Sequence, residues 1–177
     1  MIIQKIELYN FGSYEGYSSF NFENPDLSRR IVIVGGKNGA GKTTLFSAIQ
    51  LCLYGYHTYG YKSPTKPYFR EVKHLINNHA ILSCEESAYI RIHFKNTESH
   101  GIHTYTIERR WLWPMENITE QILVEKDGIS LSSEEIDDFE TFLLHMIPPE
   151  MLKLYFFDGE KISDYFLSEQ KITFEML

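Results

Sequence analysis

Short blocks of hydrophobic residues open the chain, and their spacing predicts two strands. Residues 2–11 are rich in β-branched and aromatic side chains, and residues 10–13 have the composition of a turn. A second block at 17–22 places its phenylalanines on one face, and the proline-containing break at 24–26 follows it. We therefore expect a pair of antiparallel strands at the start of the fold.

A continuous apolar block at 31–34 predicts a buried parallel strand, because strands of that kind are covered on both faces. A glycine-rich turn separates it from residues 42–54, in which apolar side chains recur every three or four positions. These are Leu45, Phe46, Ala48, Ile49, Cys52 and Leu53. The spacing predicts a helix with one face toward the core, ended by Gly55.

The next part of the chain predicts a sheet. Residues 55–69 are rich in glycine, proline and tyrosine without an apolar period, which favours an exposed loop, and residues 70–78 predict a short helix. Residues 88–95 then alternate cleanly between apolar and polar side chains. Further strands are predicted at 104–113 and 118–124. We expect an antiparallel β layer with one solvated face.

Two arginines in the strand predicted at 104–113 allow two interpretations. Arg109 and Arg110 lie beside tryptophans and could contact DNA by charge and stacking. Neighbouring strand residues point to opposite faces, however, so the pair favours a half-solvated strand.

A final helix is predicted by its start signal. Ser132 and Glu135 have the spacing of a capping box, and the prolines at 148–149 end the segment. Apolar residues continue between them at helical spacing, namely Ile136, Phe139, Phe142, Leu143 and Met146.

Composition indicates a globular protein. The 177 residues are 43% hydrophobic, which is enough for one domain with a real core. The net charge of −7 gives no overall electrostatic signal for nucleic acid. Cys52 and Cys84 are predicted to be unpaired thiols, and the N-terminus resembles no export signal. We expect a cytoplasmic protein with no membrane partner.

Residues 36–43 match G-x-x-x-x-G-K-[ST] at every fixed position. Binding a triphosphate requires backbone N–H groups that converge on one anion, and glycines let the chain wrap that closely. The predicted order of strand, turn and helix argues against a chance match. The predicted nucleotide-binding residues are Gly36, Lys37, Asn38, Gly39, Ala40, Gly41, Lys42, Thr43 and Thr44.

Two side chains of this loop have predicted chemical roles. Lys42 is expected to reach the β- and γ-phosphates of a nucleoside triphosphate as a catalytic cation, and the Thr43 hydroxyl to coordinate Mg²⁺. The start of the helix also favours phosphate, because its dipole is positive there.

The order IQKIELYNFGSYEG, then IVIVGGKNGAGKTTLFSAIQLCLYG, resembles the N-terminal lobe of the SMC and RecF-like ABC ATPases. The matching residues are Asn38, Gly39, Gly41, Lys42, Thr43, Ala48, Ile49, Leu53, Tyr54 and Gly55. The resemblance implies an α/β P-loop NTPase fold of the ABC/SMC head type, with a flanking antiparallel β layer, in a protein that acts on DNA.

A second motif lies at 151–162 and contains Asp158. Its apolar run ending in an acid resembles a Walker B strand, but Gly159 stands where a catalytic glutamate would follow. In the SMC-like group this position carries the Q-loop, with Asp158 in place of glutamine. Both assignments make Asp158 a catalytic and Mg²⁺-binding residue. The form Tyr-Phe-Phe-Asp-Gly-Glu-Lys-Ile also resembles the DndD branch, the ATPases of bacterial DNA sulfur (phosphorothioate) modification.

The resemblance implies a domain organisation as well. Residues 1–158 would form the N-terminal lobe and 159–177 the start of a coiled-coil helix, with a C-terminal lobe of the same protein outside this sequence. Two heads would sandwich ATP and Mg²⁺ as a homodimer, and hydrolysis would drive work on DNA together with other DNA sulfur modification proteins. We expect this chain alone to bind ATP with little turnover.

The alternative from another class is a nucleotide-regulated scaffold or sensor in a defence or DNA-repair complex, which would not hydrolyse ATP. A GTPase is disfavoured because the sequence has no N-K-x-D motif, and a small-molecule kinase because it has no arginine-bearing lid.

Overall fold

In the computed structural model, residues 1–23, 32–83, 85–113, 117–149 and 151 are described. The strands are β1 (Ile2–Phe11), β2 (Tyr14–Asn21), β3 (Ser87–Glu98), β4 (Gly101–Leu112), β5 (Thr119–Lys126) and β6 (Ile129–Ser130). The helices are α1 (Lys42–Tyr54), α2 (Lys66–Leu75), α3 (Asn78–Leu82) and α4 (Ser133–Met146), with a 3₁₀ helix at Gly55–Tyr59. Within the described ranges, no helix is both long and apolar enough to cross a membrane.

The six strands form one antiparallel sheet in the order β2-β1-β3-β4-β5-β6. Its longest pairing joins β3 to β4 without a register break, from Ser87 opposite Leu112 to Glu98 opposite Gly101. Helix α1 lies across β1, β3 and β4, and α4 packs beside α1. The predicted antiparallel β layer is therefore confirmed, and so is the predicted pair of strands at its start.

The core lies between α1 and the inward face of the central strands. Residues on that face are Ile6, Leu8, Ile90, Ile92, Phe94 and Ile107, and all are fully buried. Helix α1 contributes the predicted apolar face, including Ala48 and Cys52. Burial of each large aliphatic side chain stabilises the fold by about 1.5–3 kcal/mol. The pattern of apolar positions thus fixes which side of α1 meets the sheet.

Cys52 is buried under this helix, as predicted. Its Sγ lies 3.5 Å from the carbonyl oxygen of Ile90 and 3.7 Å from that of Ile107, where the thiol is a weak donor to both strands. Burial raises the pKa of the Cys52 thiol to about 12, so it stays protonated and unreactive. Cys84 lies outside the described residues.

Two sequence predictions for the segment after α1 are wrong. Residues 55–69 are not one exposed loop, because a 3₁₀ helix follows α1 and Tyr68 is fully buried. The helix predicted at 70–78 begins earlier, at Lys66. Pro67 fits its first turn, because backbone N–H groups there have no partner within the helix and the N–H that proline lacks is not missed. It ends at Leu75 because Ile76 turns to extended backbone and pairs with Phe11 of β1.

The buried parallel strand predicted at 31–34 is also wrong over its described part. Val32, Ile33 and Val34 are 51%, 87% and 45% exposed and lie in no strand. A strand needs a neighbour to satisfy its backbone groups, and the described sheet, whose pairs are all antiparallel, runs no strand beside these residues.

A network of ion pairs around the buried Arg109 lies at the C-terminal end of α1. The guanidinium of Arg109 is 2% exposed, and its Nε donates to the carbonyl oxygen of Cys52 at 3.2 Å. It is paired with Glu120 on β5, and its Nη2 lies 2.7 Å from Oε1 of Glu140 on α4. Glu120 also accepts from Tyr68 and from Nε1 of Trp111. Arg109 is therefore a structural residue, and Arg110 points to the opposite face as the alternation predicted.

We predict that Arg109→Met lowers the free energy of unfolding by about 3–5 kcal/mol, because it leaves the partly buried carboxylates of Glu120 and Glu140 without their counter-charge. The matched control is Arg110→Met on the outward face, whose partner is Glu108. A partly exposed ion pair contributes about 1 kcal/mol or less. Urea unfolding of the two variants measures the difference, and equal losses would contradict a structural role specific to Arg109.

Candidate nucleotide-binding site

The loop at 36–43 leads directly into α1, and its glycines are required by its backbone. Gly39 and Gly41 have φ of 80° and 93°, in the left-handed region that side chains disfavour. A Cβ on Gly36 would lie 3.2 Å from Cβ of Ala40, so the two arms of the loop approach closely. Residues 36–40 are exposed, and the N–H of Ala40 donates to the carbonyl oxygen of Lys37 within the loop at 3.1 Å.

Lys42 lies over this loop. Its Nζ donates to the carbonyl oxygens of Gly36 at 2.9 Å and Lys37 at 3.0 Å. The ammonium group is thus held where the loop closes, and no acidic residue lies in the first turn of α1. Thr43 follows with an exposed side chain. The local charge is positive, although the chain as a whole carries −7.

These residues fit a triphosphate with its Mg²⁺. The exposed glycine-rich backbone and the positive start of α1 suit phosphate oxygens, and Lys42 supplies a cation within the same loop. The exposed Thr43 hydroxyl is a hard oxygen donor of the kind that Mg²⁺ prefers. The structure therefore brings together the predicted loop residues Gly36 to Thr44. Asp158 and the domain boundary predicted after it lie outside the described residues.

The turn between β1 and β2 packs against the start of α1, a contact that sequence reasoning missed. A Cβ on Gly12 would overlap with Cγ2 of Thr44. A Cβ on Gly41 would lie 2.8 Å from the ring and hydroxyl of Tyr14. In each of these two contacts, a glycine of one segment packs directly against a side chain of the other. The turn composition at 10–13 predicted the bend but not what the bend touches.

This turn is itself held in place by the corner between α2 and α3. The N–H of Gly12 donates to the carbonyl oxygen of Leu75 at 2.6 Å. Asn77 bonds twice, with its N–H to the carbonyl oxygen of Asn10 at 2.9 Å and with Nδ2 to that of Gly12 at 2.8 Å. Its Oδ1 also caps α3 by accepting from two backbone N–H groups. One asparagine thus joins the turn, the corner and a helix start.

Comparison with known proteins gives a family. A model described as "AAA domain" matches residues 5–175 of the chain. This chain belongs to the AAA domain family. The match covers both the loop at 36–43 and the β layer, so the predicted α/β P-loop ATPase fold is confirmed.

Two individual proteins are similar to this chain. The DNA double-strand break repair Rad50 ATPase of Thermoplasma acidophilum is 29% identical over 137 residues, which are 77% of this chain and 12% of that protein. This chain thus spans only a small part of the length of this relative. Among solved structures, the SMC head domain from Thermotoga maritima is similar with a TM-score of 0.41 and 20% identity, over 78% of this chain and 41% of that one.

We predict that Gly12→Ala destabilises the fold by about 2–4 kcal/mol, since it combines left-handed strain with a clash against Thr44. The matched control is Gly16→Ala, also left-handed at φ 62° but with open space around it, which should cost about 1–2 kcal/mol.

Urea unfolding of the single variants and of Gly12→Ala with Thr44→Ser tests the contact. Serine lacks the methyl group that the added alanine Cβ would meet, so the second change should restore part of the stability. Additive effects of the two changes would show that turn and helix do not touch.

Proposed function

We propose that this chain is the ATP-binding lobe of an SMC-like ATPase that couples ATP binding and hydrolysis to DNA processing. The observation that carries the proposal is the exposed loop at 36–43, whose left-handed Gly39 and Gly41 lead into a helix that starts with Lys42. Membership of the AAA domain family supports a nucleotide as the ligand. The similarity to a DNA repair ATPase, Rad50, supports a function on DNA.

In this proposal each loop residue has a defined task. The backbone N–H groups of 36–43 hold the phosphates, and Lys42 exchanges its bonds to the loop carbonyls for the β- and γ-phosphate oxygens. Thr43 provides a ligand for Mg²⁺, which when bound neutralises charge on those oxygens. Asp158 remains our proposed second metal-binding and catalytic residue.

The segment ahead of the loop supports a second lobe as partner. Val32, Ile33 and Val34 are apolar yet exposed, and a groove of about 320 Å³ beside them is lined by Phe22, Leu45 and other apolar side chains. Covering such residues is favourable, and a partner strand would satisfy their backbone. We propose that the C-terminal lobe of the same protein covers them and that two such heads form a homodimer on ATP.

The finer assignment is to bacterial DNA sulfur modification. It depends on the motif Tyr-Phe-Phe-Asp-Gly-Glu-Lys-Ile at 155–162. On this proposal the protein is cytoplasmic, reaches DNA through a complex with the other sulfur modification proteins, and uses ATP with Mg²⁺ as its nucleotide.

We predict that the chain binds ATP with Mg²⁺ and that Lys42→Ala weakens binding about 10- to 150-fold, the loss expected for bonds from a charged donor. The matched control is Lys95→Ala, which removes an exposed lysine on the outward face of β3 and should leave affinity unchanged. Titration with a fluorescent ATP analogue gives the affinities, and phosphate release gives turnover.

Failure of the wild-type chain to bind ATP would contradict the proposal. Equal affinities of wild type and Lys42→Ala would show that ATP does not bind at this loop. Fast turnover by this chain alone would overturn the expectation that a second lobe is needed for hydrolysis.

A further inference from the structure

Tyr14, the first residue of β2, reaches from the sheet to the last turn of the nucleotide loop. Its hydroxyl donates to the carbonyl oxygen of Gly41 at 3.1 Å. The ring packs edge-on against Phe20, with centroids 5.5 Å apart and planes at 79°, which fixes its direction. Burial raises the pKa of the Tyr14 hydroxyl, so the group stays a neutral donor.

The peptide group that receives this bond joins Gly41 to Lys42. In a trans peptide the C=O and the N–H point in opposite directions. Because the carbonyl oxygen of Gly41 faces both the N–H of Leu45 and the hydroxyl of Tyr14, the N–H of Lys42 points the opposite way, out of the start of α1. The glycine imposes no orientation of its own, since it populates left- and right-handed backbone equally well. Two donors orient this peptide group: the N–H of Leu45, which makes the first helical bond at 2.9 Å, and the hydroxyl of Tyr14.

Tyr14 can hold this peptide because its own position is fixed. Two residues before it, Gly12 is bonded to both Leu75 and Asn77, and the Gly12 backbone meets the Thr44 side chain. Between them, Oγ of Ser13 lies 3.4 Å from Oγ1 of Thr44. The tyrosine therefore rests on a turn that is anchored on two sides.

We propose that Tyr14 is a positioning residue of the nucleotide site: its hydroxyl fixes the Gly41–Lys42 peptide group so that the Lys42 N–H faces the phosphates. This rests on the proposed function, in which the loop binds ATP. The side chain acts through the backbone and touches neither the base nor the phosphates. Removal of the Tyr14 hydroxyl should therefore weaken the binding of every ligand that presents a triphosphate, whether or not a base is attached.

The test is Tyr14→Phe, which removes the hydroxyl and keeps the ring against Gly41. Loss of one neutral hydrogen bond should weaken binding about 2- to 10-fold. Because the defect lies at the phosphates, the factor should be the same for a fluorescent ATP analogue and for inorganic tripolyphosphate competing with it. The matched control is Tyr17→Phe on the same strand, whose hydroxyl bonds to Glu7 at 2.8 Å on the outward face of the sheet.

Affinities and thermal melting are measured for both variants, with Lys42→Ala as the reference for loss of the site. We expect Tyr14→Phe alone to lose affinity, and Tyr17→Phe to bind like wild type even if it melts earlier. Wild-type affinity in Tyr14→Phe, with binding still weakened in Lys42→Ala, would overturn the positioning role and leave the proposed function intact.

Two further outcomes would also overturn it. If Tyr14→Phe weakens the binding of ATP but not that of tripolyphosphate, Tyr14 contacts the base instead of ordering the loop. If both tyrosine variants lose affinity in proportion to their loss of melting temperature, the effect is general stability. Absence of binding by the wild type would instead reject the proposed function itself.

Discussion

The contact between the β1–β2 turn and the start of α1 is the interaction on which the loop depends. The segment before the loop lies in no strand of the described sheet, so it does not tie the loop to the sheet. The loop is therefore held by α1 on one side and by Gly12 and Tyr14 on the other. Both contacts need a glycine, because any side chain at Gly12 or Gly41 would separate the two segments.

The two ends of α1 are matched to opposite charges. At its C-terminal end the guanidinium of Arg109 bonds to the carbonyl oxygen of Cys52, where the helix dipole is negative. At its N-terminal end the exposed loop and Lys42 present positive charge at the positive end of the helix dipole, which suits an anion. Between them the helix is buried against the sheet. A helix fixed in this way keeps its first turn in one place, which favours a preorganised phosphate site.

Much of this fold follows from local sequence. Strands β1 to β5 and α1 were predicted from apolar spacing, and the Ser132 capping box is formed as its residues indicated. Two of the errors concern contacts, or missing contacts, with distant parts of the chain. Tyr68 is fully buried and its hydroxyl donates to Glu120 on β5, a distant partner that no local pattern indicates. Residues 32–34 looked like a buried strand, but burial of a strand depends on what lies beside it.

The nucleotide site divides in the same way. Its loop residues were predictable because a phosphate-binding loop is a local motif with fixed spacing. The role of Tyr14 was not, because it depends on the fold bringing the first turn of the sheet to residue 41. Family membership adds the class of protein but does not replace either kind of information.

The most direct measurement is an amide chemical-shift titration of the ¹⁵N-labelled chain with ATP and Mg²⁺. We expect the largest changes at Gly39, Gly41, Lys42 and Thr43, with smaller changes at Tyr14 and none at Arg110 on the outward face. Shifts confined to other parts of the sheet, with 36–44 unaffected, would contradict the conclusion that this loop is where the nucleotide binds.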